Sequence, residues 1–179
     1  MATIQELGIA QVNNTNLFSQ VHANIFNLID NKVNIPDPIS TLPPQQQSRK
    51  MVYTRLPDVA SINFKGYPFI VVESPINNPQ FYTLDNSKSF NSWEIKIDVY
   101  SSDRLKDSNE ARGLEFLNTL CNDIMKTLNN KTNRKTLRNF GMSNINPASN
   151  KNDVIFTEGE LIYNKTFEIP FMGMINTGG

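Results

Sequence analysis

Apolar and polar residues alternate along residues 93–100. Successive side chains of a β-strand point to opposite faces, so strict alternation is typical of a strand with one buried face and one face in water. The apolar positions are Trp93, Ile95, Ile97 and Val99, and the polar positions between them are Glu94, Lys96 and Asp98. This segment is therefore predicted to be a half-buried strand.

Apolar residues at helical spacing predict two helices. The first covers residues 16–30, where Asn16 can cap the start. The second begins at Asp107 or Ser108 and ends near Asn129, and its start resembles a capping box. The second helix is expected to anchor the core through one apolar stripe. Its members are Ala111, Leu114, Leu117, Leu120, Cys121, Ile124 and Leu128.

Further strands are predicted on both sides of the alternating segment. Residues 51–56, 61–64 and 67–73 are the earlier candidates, and the last of these is apolar enough for a central position in a sheet. A weaker candidate covers residues 137–145, and a final strand or hairpin covers residues 154–171. Four residues of that last segment share one predicted face: Lys165, Phe167, Ile169 and Phe171.

The connections between these elements are long and polar. We expect an N-terminal arm at residues 1–15, a Pro-rich loop at 32–50, a second loop at 74–91 and a flexible tail at 176–179. Everything before the tail, residues 1–175, is predicted to be one α+β domain, a two-layer sandwich in which two main helices pack on a mostly antiparallel sheet. Long loops in so small a domain either contact neighbouring molecules or are disordered.

The amino-acid composition argues against several classes of function. Seventeen basic and seventeen acidic residues cancel, which argues against a general coat for nucleic acid or anionic membrane. The single Cys121 excludes an intramolecular disulfide and is expected to be an ordinary buried thiol. The lone His22 has no metal-ligand neighbours at suitable spacing, so no metal or cofactor is expected. No secretory signal or apolar run long enough for a bilayer is present, which predicts a protein made and used in solution, without membrane contact.

One catalytic hypothesis concerns carboxylates. Restriction-endonuclease-like enzymes hold magnesium with an acidic residue on one strand and an acid-x-Lys triplet on the next. Glu73 or Asp85, followed by Glu94-Ile95-Lys96, mimics that layout. Cross-strand charge pairing on a solvated strand face explains the triplet equally well, and the chain is predicted not to be an enzyme.

A dense basic cluster follows the second predicted helix. Its residues are Lys131, Arg134, Lys135 and Arg138. Cations at this position complement the C-terminal end of a helix and remain solvated. The alternative is that the cluster contacts DNA or an acidic surface of a partner.

Several sequence segments and predicted elements follow one another in an order that is shared with a known protein family. These are residues 67–73, residues 93–101, a long helix, a Gly141-Met142 strand and a final strand pair. In this pattern, over residues 17–171, the chain resembles tail terminator (tail completion) proteins of tailed bacteriophages.

The resemblance implies a structural virion protein with an α+β fold. Such proteins are assembled in the host cytoplasm as a ring, typically hexameric, on the last ring of the tail tube. There they stop tube growth and join the tail to the head. The implied partners are further copies of the chain, the tail tube protein and a head-completion or neck protein. DNA would pass through the channel without sequence-specific recognition, and no cofactor is implied.

Two segments, around Pro43-Pro44-Gln45 and at residues 74–91, are longer than in the shorter family members. A neighbouring neck or head-completion protein of similar size is therefore the alternative. Under either assignment the loops at residues 35–50 and 75–91 are expected at subunit or ring contacts. The interface candidates are Pro36, Pro43, Pro44, Gln45, Asn77, Asn78, Phe81 and Tyr82, together with Lys131, Arg134, Lys135 and Arg138.

Overall fold

The fold is seen in a computed structural model of the chain. The structure describes residues 17–33, 35, 51–60, 66–85, 88–104, 113–139, 148–157 and 160–176. Within these residues the chain forms three helices and six strands. The helices are α1 (Leu17–Lys32), α2 (Gly113–Asn129) and α3 (Lys131–Asn139). The strands are β1 (Val52–Tyr53), β2 (Phe69–Val72), β3 (Ile76–Asp85), β4 (Lys88–Arg104), β5 (Ala148–Thr157) and β6 (Glu160–Asn176).

The described strands form one sheet in the order β1-β2-β4-β6-β5, and β3 adds to β4 as a hairpin. Only the short β1 runs parallel to its neighbour; the other described pairs are antiparallel. At roughly 3.3 Å per residue, the central strands β4 and β6 are each about 55 Å long. The helix α2 is only about 25 Å long at 1.5 Å per residue. The sheet therefore extends beyond the longest of the described helices packed on it.

The main core lies between the helices and the middle of the sheet. The predicted alternation is confirmed, because the four apolar positions of β4 are buried and Glu94, Lys96 and Asp98 between them are half-buried. The ring of Trp93 stacks on that of Phe171, with 5.6 Å between centroids. The fully buried helical residues are Val21, Ile25, Ile29, Leu120, Ile124 and Leu128. Burial of each such side chain contributes about 1.5 to 3 kcal/mol, so this layer holds the fold together.

The opposite face of the sheet carries a smaller cluster. Met51, Phe69 and Val71 are buried there. The ring of Phe69 stacks on Tyr100 with 4.7 Å between centroids, and Tyr67 and Tyr53 pack on it from other directions. β2 is therefore buried on both faces, which agrees with the central position that its apolar sequence predicts.

His22 is a helix residue, as expected, and it also ties α1 to the sheet. Its Nε2 lies 2.9 Å from the carbonyl oxygen of Val72. A carbonyl can only accept, so Nε2 carries the proton and donates. Cys121 is buried, as expected, and burial raises the pKa of its thiol to about 11, with the charge of Lys165 acting weakly in the opposite direction.

The start of α2 is tied to β4. The carboxylate Oδ1 of Asp103 accepts a hydrogen bond from the backbone N–H of Gly113, and Oδ2 accepts one from the Tyr163 hydroxyl at 2.7 Å. A carboxylate satisfies an orphan N–H at a helix start and complements the helix dipole. A β-carbon on Gly113 would lie 2.6 Å from the backbone carbon of Ser102, so only glycine fits this close approach.

One predicted loop forms strands, and one predicted strand is helical where it is described. The predicted loop at residues 74–91 is wrong, since β3 and the start of β4 occupy most of it. The pairing of β3 with β4 shifts in register between Asn78 and Tyr82. Pro79 lies in this stretch and has no N–H to donate to the strand ladder. The predicted strand at residues 137–145 is also wrong where it is described, because Leu137 lies in α3 and is buried.

Other expectations are met in part. Leu114 is exposed although the stripe of α2 was expected to bury it, because α2 begins at Gly113 and Leu114 faces outward in its first turn. The hairpin at residues 154–171 is confirmed as β5 and β6, with Phe167, Ile169 and Phe171 buried and Lys165 half-buried. Asn176, expected in the tail, ends β6.

The strand at 61–64 and the capping box at Asp107 lie outside the described residues, as do the N-terminal arm and most of the Pro-rich loop. The α+β class is confirmed.

Candidate assembly interface

The outer strand β5 exposes three consecutive apolar residues. Val154 is 62% exposed, Ile155 50% and Phe156 67%. β5 pairs with β6 on one side, and no other described strand pairs with its second side. An edge strand that combines open backbone groups with apolar side chains favours pairing with another chain.

The register shows why these side chains are exposed. Val154 lies opposite Tyr163, and Phe156 lies opposite Leu161. Paired residues point to the same face, so Val154 and Phe156 lie on the helix side of the sheet. Asp103, which caps α2, lies opposite Leu161, so Phe156 is on the rung of the sheet at which the described helix begins. α2 packs on β4 and β6, and β5 lies one strand farther out, which leaves Val154 and Phe156 exposed.

The opposite edge of the sheet exposes a second apolar group. β1 is the outer strand there, and the segment after it carries Leu56, 59% exposed, and Val59, 52% exposed. Residues 53–58 line a surface depression of about 470 Å³. Its lining is Tyr53, Thr54, Arg55, Leu56, Pro57 and Asp58. The molecule therefore has exposed apolar residues at both described edges of its sheet.

The basic cluster is brought together on α3. Lys131, Arg134, Lys135 and Arg138 lie at positions i, i+3, i+4 and i+7 of this helix, so they share one face. Asn130 joins α3 to α2 and caps it, because its side-chain oxygen accepts from the N–H of Thr132 at 2.9 Å. The cluster was expected at the end of α2; it instead forms a helix of its own.

Arg134 differs from the other three cations. It is half-buried, and its Nη2 donates to the side-chain oxygen of Asn129 at 2.9 Å. Lys131, Lys135 and Arg138 are exposed, and among the described residues none of them has a carboxylate within 4.0 Å. α3 contains no acidic residue, so its exposed face is a concentrated positive patch suited to an acidic surface.

The remaining interface candidates fall outside or at the margin of the described part. Asn77, Asn78, Phe81 and Tyr82 lie on β3, whose backbone alone is described. Pro36, Pro43, Pro44 and Gln45 lie outside the described residues. That the segments at residues 35–50 and 75–91 lie at subunit or ring contacts stays a prediction.

The sheet geometry separates Asp85 from the Glu94-Ile95-Lys96 triplet and places Glu73 beside it. Asp85 pairs with Lys88 in β4, which places it about 20 Å along the strand from Glu94. Glu73 is nearer, since its N–H donates to the carbonyl of Lys96 at 2.9 Å. Lys96 lies directly opposite Glu168 in β6, as cross-strand charge pairing requires. Among the described residues, no group of three His, Cys, Asp or Glu side chains could hold a metal ion.

Sequence reasoning missed both exposed apolar edges. For β5 a signal was available, because three apolar residues in a row cannot all point to one buried face of a strand. For Leu56 and Val59 the sequence offers no such signal, since neither belongs to a run of three large apolar residues. No helix in the described part of the chain is long and apolar enough to cross a membrane.

Comparison of the chain with protein-family models and with curated proteins found no match to either.

Proposed function

We propose that this chain is a structural protein of a tailed-phage virion. It forms a ring at the head-proximal end of the tail tube, ends tail growth there and joins the tail to the head. The observation that carries the proposal is the exposed apolar edge strand β5, with Val154, Ile155 and Phe156. Such an edge is a template for pairing with another chain, and a monomer in solution normally protects it.

Two further features support an assembly role. The exposed positive face of α3 offers a contact for an acidic surface on a neighbouring virion protein. The hairpin of β3 with β4 reaches past the central core residue Trp93, so it can touch a neighbour without disturbing the core. The pattern resemblance to tail terminators names the assembly in which these surfaces would serve.

The first test is the oligomeric state of the purified protein by native mass spectrometry, with negative-stain imaging of the same sample. We expect a closed ring near six subunits. A protein that stays monomeric alone is then examined in the presence of tail tubes, where the ring should form on the tube end.

The decisive test is tube growth. Tail tube protein is polymerised with and without the purified chain, and tube lengths are measured by electron microscopy. We expect shorter tubes with extra density at one end. Unchanged lengths and bare ends would contradict the proposal, and binding to head connectors alone would identify a neck protein instead.

A further inference from the structure

The exposed face of α3 concentrates positive charge in a short length of helix. Lys131, Lys135 and Arg138 are exposed there, and α3 contains no acidic residue. At 1.5 Å per residue these three cations span about 10 Å along the helix axis. A nucleic-acid duplex carries one negative charge per about 1.7 Å of its axis, so the same length presents about six phosphate charges. The face is therefore a dense counter-charge for such a backbone.

The helices that pack on α3 do not cancel this charge. α1 and α2 contain three acidic residues: Asp30, Glu115 and Asp123. Asp123 is paired with Lys126, with 3.6 Å between Oδ1 and Nζ. Glu115 lies in the first turn of α2, about 20 Å along the axis from the end that adjoins α3. Asp30, in the last turn of α1, is offset by exposed Lys32, which lines a depression between α1 and α3.

The local charge decides what this face attracts. Exposed charges are screened over a Debye length of about 10 Å at 0.1 M salt. The formal net charge of zero for the whole chain therefore argues against a general coat for nucleic acid and leaves a local contact open.

We propose that the exposed face of α3 binds the phosphate backbone of a nucleic-acid duplex without reading its sequence. Lys131, Lys135 and Arg138 neutralise phosphates and release the counterions condensed on them, which supplies most of the affinity of non-specific binding. This inference goes beyond the proposed function, because the contact needs one copy of the chain and no ring.

The side chains of α3 distinguish this partner from an acidic protein surface, which suits the same charge. The centre of a protein interface is anchored by aromatic and apolar side chains and is depleted in Lys. The one apolar residue of α3, Leu137, is only 2% exposed because it packs in the main core. Exposed Thr132 instead places a hydroxyl beside the cations, and hydroxyls donate to phosphate oxygens. α3 has no aromatic residue for stacking on an unpaired base, which favours a duplex over a single strand.

α3 is also held in a fixed position. Besides the cap at Asn130, the side-chain Nδ2 of Asn133 donates to the carbonyl oxygen of Thr127 in α2 at 2.8 Å. Half-buried Arg134 donates to Asn129 and so fastens the helix from its inner side. Cations on a helix that is already ordered lose less conformational entropy on binding.

Fluorescence anisotropy of labelled DNA duplexes tests the contact. Two duplexes of unrelated sequence, each of about 20 base pairs, are titrated with the wild-type protein over a range of salt concentrations. We expect equal affinity for both, with a dissociation constant of about 10⁻⁴ to 10⁻⁶ M at physiological salt. Neutralisation of three phosphates predicts a slope of about −3 for the logarithm of the binding constant against the logarithm of salt concentration.

The test variant combines Lys131→Gln, Lys135→Gln and Arg138→Gln and keeps half-buried Arg134. Its affinity should fall by about tenfold or more, and its salt dependence should be nearly flat, since each lost phosphate contact reduces the slope by about one. Glutamine has a helix propensity close to that of Lys and Arg, so α3 should stay folded, which circular dichroism checks.

A single pair of variants supplies the matched control. Arg138→Gln removes one cation from α3, and Arg55→Gln removes one from an exposed site in the segment after β1. Only Arg138→Gln should reduce the salt slope, by about one. Native mass spectrometry of every variant confirms that the number of subunits is unchanged.

Four results would overturn the inference. The first is no binding by the wild type at about 50 mM salt, and the second is a triple variant that binds as tightly as the wild type. The third is a preference of about tenfold or more for one duplex, which indicates that bases are read. The fourth is displacement of the duplex by polyglutamate more readily than by unlabelled duplex of equal charge, which indicates an acidic protein surface as the partner. The tube-growth assay contains no nucleic acid, so its outcome is independent of all four.

Discussion

The middle of the sheet and its outer strand β5 use the same kinds of residue with opposite results. Ile97 in β4 is fully buried under the helices, while Phe156 in β5 is 67% exposed. Helix cover decides the difference, because α2 packs on β4 and β6 while Phe156 lies on the outer strand beside them. Apolar residues beyond the cover stabilise the monomer little. The described part of the molecule thus divides into a helix-covered region that holds the fold together and an outer strand whose apolar side chains are exposed.

The largest expected effect is at the centre. Ile97→Ala removes fully buried methylene groups and should lower the free energy of unfolding by about 2 to 5 kcal/mol. Phe156→Ala should change the stability of the monomer by less than about 0.5 kcal/mol, because the side chain gains little burial on folding. Urea unfolding at a concentration where each protein is monomeric measures both.

The exposed Leu114 on α2 provides the control for this pair. Leu114→Ala is expected to behave like Phe156→Ala in unfolding. A loss of more than about 2 kcal/mol in Phe156→Ala would mean that β5 belongs to the folding core, and the division into two regions would then be wrong.

The start of α2 lies close against β4 at Gly113. Gly113→Ala should destabilise the protein by about 1 to 3 kcal/mol, because the new β-carbon would lie 2.6 Å from the backbone of Ser102. Helix propensity alone predicts the opposite, a gain of about 1 kcal/mol. Thermal or urea unfolding distinguishes the two signs.

The control for Gly113→Ala is Asn118→Ala, an exposed position farther along α2. There the propensity gain should act without a clash, so a small increase in stability is expected. Equal and positive effects at both positions would show that the approach of α2 to β4 is not tight.

The sequence predicts the helix-covered middle of the sheet better than its exposed outer strand. The alternation around Ile97 and the stripe through Leu120 predict burial well, because a buried face imposes a strict period on the sequence. The cap of α2 could not be predicted, since Asp103 lies in a strand and meets Gly113 only through the tertiary fold. The exposed edges were missed because periodicity identifies which face of a strand is buried and does not show which strands the helices cover.

A smaller effect on stability is expected at Tyr163 of β6, which contacts the capping residue Asp103. Tyr163→Phe removes the hydroxyl that donates to Asp103 at 2.7 Å. The loss should be about 1 kcal/mol or less, because Tyr163 is partly exposed and solvent replaces part of the bond. Differential scanning calorimetry should resolve it as a slightly lower melting temperature. An unchanged melting temperature would indicate that the hairpin end is not held to α2 through this bond.

The smallest expected effect concerns the second face of the sheet, at Tyr100. Burial raises the pKa of this phenol from 10.0 to about 12, and the charge of Asp98 adds to the rise, while a hydrogen bond with Asn164 lowers it. A folded-state pKa above the unfolded value favours the protonated phenol, so its contribution is complete below pH 10 and is lost as the pH rises toward 12. Because the ring is only half-buried, the contribution should be below about 1 kcal/mol. Urea unfolding across this range should give a shallower decline for Tyr100→Phe than for wild type. Equal slopes would mean that the phenol is solvated as fully in the folded chain as in the unfolded one, and that the aromatic cluster around Phe69 leaves this face open to water.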